Sequence, residues 1–200
     1  MPSGPEQRLC AHCGPLVNLN MLNWAPDGKF IVMAEGEPQR HVRLDVATGQ
    51  RKPLVEHSKY PIHDSQLSLD GRWIVFKLVT SATVQPLFVA PVREGAAPEQ
   101  EWIKLTSDFN YAKPFWSPAG DLIYYYSTED TYLCLYARRV DPLTKQPQGP
   151  PLLLRHFHDD LRVANGTYIG YGLAPDRLYI PLETRRSDIW LAELEKPEQK

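Results

Sequence analysis

The chain has 200 residues, and 22 basic against 24 acidic side chains leave a formal net charge of −2. That balance provides no electrostatic footprint for nucleic acid or an anionic membrane, and Arg138-Arg139 and Arg185-Arg186 are only pairs. No run approaches the roughly 18 apolar residues of a membrane span, MPSGPEQRLC has no apolar leader core, and three cysteines are an odd number for a disulfide framework.

In chain order, Gln7–Cys10 reads as a short outer strand without a blade of its own. Cys10-Ala11-His12-Cys13 is a C-x-x-C, the spacing of a redox pair or half of a zinc site. Gly14-Pro15 forbids the helix a redox pair wants, and Cys134 stands alone, so a connecting loop is the preferred reading. A first unit then spans about 18–56. Asn18 and Asn20 lead into WAPDGKFIVMA from Trp24; His41–Val46, the turn Asp45–Gly49 and an outer strand Arg51–Val55 follow.

The second unit, about 62–106, repeats the order. His63 and Asp64 lead into LSLDGRWIVFK from Leu67, followed by Leu87–Val92, a turn through Gly95, and Trp102–Leu105. The third, about 111–156, has Tyr111 and Lys113, then WSPAGDLIYYY from Trp116, Leu135–Val140, Asp141–Thr144 and Leu152–Arg155. His156-Phe157-His158-Asp159-Asp160 comes next, with two imidazoles on one strand face at a spacing metals use. No third ligand is evident nearby, so an outer strand running into a polar loop is expected. The fourth unit, about 167–195, has Tyr168 and Tyr171, then LAPDRLYIPLE from Leu173, then Ile189–Leu194.

These units form one propeller-type domain over 1–200. The turn position holds Gly28, Gly71, Gly120 and Arg177, at spacings of 43, 49 and 57 residues, and Ile31, Ile74, Ile123 and Ile180 align behind it. A period in the forties with turn-strand units is that of an all-β propeller built from four-stranded antiparallel blades. Pro presets φ for the turn, Asp bonds its own backbone and Gly supplies the positive φ. The runs after the turn are apolar on both faces, as a sheet between two neighbours requires. Consecutive tyrosines Tyr124, Tyr125 and Tyr126 point to alternate faces, so they are expected to pack between blades rather than form one platform.

WAPDGK, LSLDGR, WSPAGD and LAPDRL resemble the aromatic-Ser-Pro-Asp-Gly-Lys turn of the TolB-like propeller repeat family, over about 16–194. The resemblance implies a propeller of about four blades, the C-terminal part of a bacterial multidomain propeller protein. The arc is either open, or a small closed ring in which Gln7–Cys10 completes the fourth unit. An open arc would invite self-association.

The loops entering each inner strand open onto the channel, which makes His63, Asp64, Tyr111, Lys113, Tyr168 and Tyr171 the binding-site candidates. The sequence has no G-x-S-x-G and no Gly-rich phosphate loop, so no catalytic residue, metal ligand set or cofactor is assigned. The expected function is a non-catalytic module that binds or scaffolds a protein or peptide partner; the alternative is a hydrolase- or lyase-type enzyme at the channel mouth, with or without a metal. No nucleic acid and no membrane span are expected, and the default compartment is the cytoplasm.

Overall fold

The computed structural model describes residues 22–107, 111–157, 162–164, 172–174 and 177–184. The segments Gln7–Cys10 and Ile189–Leu194 lie outside them. Three four-stranded antiparallel sheets follow one another along the chain. The first contains β1 (Asn23–Trp24), β2 (Phe30–Glu35), β3 (Arg40–Asp45) and β4 (Arg51–Val55). The second contains β5 (Ile62–Leu67), β6 (Trp73–Leu78), β7 (Leu87–Pro91) and β8 (Ile103–Lys104). The third contains β9 (Tyr111–Trp116), β10 (Leu122–Asp130), β11 (Tyr132–Arg139) and β12 (Leu152–Arg155). Strand order equals chain order in each, so every sheet is a meander and the molecule is an open, partial propeller. The one helical element among the described residues is a 3-10 turn at Glu99–Glu101, and no helix there is long and apolar enough to cross a membrane.

The repeated turn is built the same way three times. The amides of Gly28, Gly71 and Gly120 donate to the carbonyls of Ala25, Ser68 and Ser117 at 2.9, 2.9 and 3.0 Å. Those three glycines have φ of 72, 69 and 71°, a region in which any side chain clashes with its own backbone. The turn sets the pairing register: Trp24 faces Ile31, Leu67 faces Ile74 and Trp116 faces Ile123.

The fourth unit departs from this. There β14 (Gly172–Ala174) pairs with β15 (Arg177–Tyr179), and β13 (Arg162–Ala164) with β16 (Leu182–Thr184). Leu173 stands opposite Leu178, two positions short of the Ile180 that ungapped alignment puts there. The reason is Arg177. Standing where the other units have glycine, it is itself a strand residue, paired with Ala174.

A second turn also recurs. Asp45 and Asp141 each cap a loop by accepting from the Thr48 or Thr144 amide, both at 2.8 Å, and from the same threonine's hydroxyl. Gly49 closes the first with φ 68°, and Lys145 closes the second with φ 60°. The lysine is held there because its ammonium donates to the Gly120 and Pro142 carbonyls, both at 2.8 Å, and lies over the Trp116 ring.

Most of the buried clusters lie between the sheets; Met33, Val42 and Leu44 form a separate one on the first sheet alone. Phe30, Val32 and Leu54 of the first blade pack against Ile62, Ile74 and Phe76 of the second. Val75, Leu87 and Val89, on the second blade's other face, meet Trp116, Ile123 and Tyr125. Tyr126 turns the opposite way, into a cluster with Leu135 and Phe157 against which Leu178 and Ile180 of the fourth unit pack. Both rings are fully buried, and burial pushes the Tyr126 phenol up to about 12. The adjacent tyrosines therefore serve two different interfaces, each ring contributing roughly 2–3 kcal/mol of apolar burial.

Gly120→Ala should destabilise the fold by about 1 kcal/mol or more, while Gly95→Ala, where a Cβ meets nothing within 4 Å, should be near neutral. Urea unfolding of the two variants compares them directly.

Candidate functional site

Two of the sequence candidates meet in space. The β5–β6 ladder jumps from His63↔Lys77 to Gln66↔Val75, and the β9–β10 ladder from Tyr126↔Ala112 to Tyr124↔Phe115. Each jump leaves one extra residue in the inner strand, a β-bulge that re-aims the side chain. Asp64 and Lys113 occupy it, each seven residues before its turn glycine, with φ of 49 and 52°. Neither is glycine, so each costs roughly 1–2 kcal/mol of backbone strain that the surroundings must offset.

The offset comes from charge. The Asp64 carboxylate accepts from the Lys77 ammonium at 2.9 Å and the Lys113 ammonium at 3.2 Å. The Lys113 amide adds a longer contact at 3.4 Å. Side-chain exposures of 7% for Asp64, 11% for Lys77 and 16% for Lys113 make this a poorly solvated cluster. Burial works against ionisation of Asp64, but the two ammonium groups outweigh it and hold its carboxyl below the ordinary range. Burial lowers the His63 imidazole, and the charges of Lys77 and Lys113 lower it further against the opposing pull of Asp64. His63 is therefore neutral at pH 7.

A buried scaffold fixes the start of β5. His41 on β3 is fully buried; its Nε2 donates to the Ile62 carbonyl at 3.1 Å and its Nδ1 meets the Ser65 hydroxyl. Gln39 donates its side-chain amide to the same carbonyl at 2.9 Å. Burial drives the His41 pKa down to about 4. Side-chain amides then stitch inner strand to inner strand. Asn23 donates to the Ser65 carbonyl at 3.0 Å, and Gln66, at the same repeat position, accepts from the Trp116 amide at 3.0 Å. The Trp116 indole returns a bond to the Gln66 carbonyl at 3.1 Å.

Of the other candidates, Tyr111 opens β9 opposite Ser127. Tyr168 and Tyr171 lie outside the described residues, as do Asn18, Asn20, the Cys10–Cys13 motif and His158. His156 follows β12, within reach of Asp130 and Cys134. Lys77 was not among the sequence candidates. The available signal was a lysine at a repeat position where the sister units carry Ala34 and Tyr126.

No protein-family model matches the chain, and no curated protein matches it in sequence. Among solved structures, TolB from Acinetobacter baumannii superposes with a TM-score of 0.58 at 15% identity, over 78% of this chain and 35% of that one. A candidate TolB from Agrobacterium tumefaciens aligns with a TM-score of 0.37 at 16% identity, over 68% of this chain and 61% of that one. The tricorn protease aligns at 0.45 and 17% identity, over 60% of this chain and 13% of that one. The first likeness, together with the three meander sheets, shows a TolB-like propeller fold. The chain spans about a third of the length of the A. baumannii protein.

Asp64→Ala should cost about 3 kcal/mol, because it leaves two ammonium groups facing each other, and adding Lys77→Met should recover part of that loss in a double-mutant cycle. Acid should also act through His41. Its folded pKa lies below its unfolded value, so the unfolded chain takes up the proton first as pH falls. Stability should be constant above about pH 6.5 and drop by about 3 kcal/mol on the way to pH 4, measured by urea unfolding across that window.

Proposed function

We propose that this TolB-like propeller arc is a non-catalytic module that binds a protein or peptide partner at the channel mouth, with His63, Asp64 and Lys113 at the centre of the contact surface. Tyr111, Tyr168 and Tyr171 complete that surface in this reading. The observation that carries it is the pair of non-glycine residues at positive φ in matching bulges of adjacent blades. A strand built only for stability would place glycine there, or no bulge at all. Keeping a charged residue in a strained backbone is the pattern of a site whose side-chain direction matters.

The electrostatics favour recognition over catalysis. Asp64 is committed to two ammonium groups, which suits a fixed anion better than a proton acceptor. In this reading a partner's carboxylate meets Lys77 and Lys113 where they are only 11% and 16% exposed, so that charge pairing acts in poorly solvated surroundings.

Lys113→Gly separates binding from folding, because glycine accepts the bulge's backbone while the ammonium is lost. Peptides selected from a displayed random library against the protein should carry carboxylates, and calorimetry should show Lys113→Gly weakening them at least tenfold with the melting temperature kept. A library that yields no binders, or binders indifferent to both Lys113→Gly and His63→Ala, would sink the proposal.

A further inference from the structure

The third blade carries a second constellation, remote in sequence from the bulge residues. Asp130 ends β10, Cys134 lies in β11, and His156 follows the outer strand β12. The hairpin between β10 and β11 turns through Thr131, with φ 66°, which brings Asp130 back over Cys134. There the His156 Nδ1 lies 2.8 Å from Asp130 Oδ2 and 3.7 Å from the Cys134 sulfur, and the sulfur lies 4.0 Å from Asp130 Oδ2. The thiol is buried and not in a disulfide, whereas the Asp130 and His156 side chains are each 41% exposed.

We propose that Asp130, Cys134 and His156 form a three-ligand site for a zinc-class divalent cation. Zinc takes thiolate sulfur at about 2.3 Å and imidazole nitrogen or carboxylate oxygen at about 2.0–2.2 Å, in a tetrahedron. That geometry puts sulfur about 3.6 Å from either light-atom ligand and the nitrogen about 3.4 Å from the oxygen. The cluster is within about half an ångström of each edge, so side-chain adjustment alone admits the ion. Binding replaces the Cys134 S–H proton with the metal, and that proton leaves to solvent. One soft, one borderline and one hard donor suit zinc better than calcium or magnesium, which demand oxygen ligands throughout. A zinc ion held by three protein ligands takes water as its fourth.

The test uses the full chain without a histidine tag, in a Cys10→Ser, Cys13→Ser background so that the C-x-x-C cannot contribute. Titrating with cobalt(II) under reducing conditions should give one equivalent bound and a thiolate-to-cobalt charge-transfer band. Competing zinc should erase that band. It should vanish in Cys134→Ser, and in His156→Gln, whose exposed position keeps the fold intact. Asp130→Asn should weaken the affinity at least tenfold. A folded background protein that shows no charge-transfer band, or a band that survives both Cys134→Ser and His156→Gln, would overturn the assignment. Because the readout is spectroscopic, it is independent of whether the channel mouth binds peptides.

Discussion

A four-stranded sheet that is apolar on both faces cannot stay alone in water. That constraint organises the rest of this molecule. Among the described residues the second and third blades each supply one face to the blade before and the other to the unit after, so Phe76 and Val75, neighbours in β6, belong to different cores. Hydrophobic burial drives the contact but is non-directional. Direction comes from the amides of Asn23 and Gln66, which hydrogen-bond across successive interfaces at the same repeat position and fix how far one inner strand slides against the next. Stability in such an array is a sum of unit and neighbour terms.

The polar cluster of Asp64, Lys77 and Lys113 depends on that stacking. Asp64 and Lys113 belong to different blades and are 49 residues apart in the chain. Only the inter-blade register brings them to 3.2 Å. The strain in the two bulges and the ion pairs between them are one device: the bulges aim the side chains inward, and the charges hold the bulges. His41 supports this from the first blade by holding the Ile62 carbonyl, so three elements from three blades set the position of a single carboxylate.

The fold was legible because the turn repeats. Pro, Asp and Gly each fulfil a local demand, and local demands are written where they act. The split of Tyr125 and Tyr126 between opposite faces likewise followed from strand geometry alone. The fourth unit was misaligned by two residues because losing the glycine changed the turn, and an ungapped reading cannot see that. The polar cluster was half legible: counting back from the turn found His63, Asp64 and Lys113, but not Lys77, which reaches the cluster from the second strand of its hairpin. The grouping of Asp130, Cys134 and His156 was invisible for a stronger reason. Cys134 and His156 are 22 residues apart and meet only after β11 and β12 pair.

Lys145 has one more effect. Trp24 and Trp116 hold the same place in their units, yet Trp24 is 61% exposed and Trp116 3%. In the third blade the Lys145 ammonium lies over the indole, and the Gln66 carbonyl takes its N–H. In the first blade Gly49 stands at the matching position and has no side chain to cover the ring. One repeat position thus yields two optical environments in a single chain, a wet indole at Trp24 and a dry one at Trp116, and the dry one sits on the seam between the second and third blades. The protein contains its own reporter of whether that seam is closed.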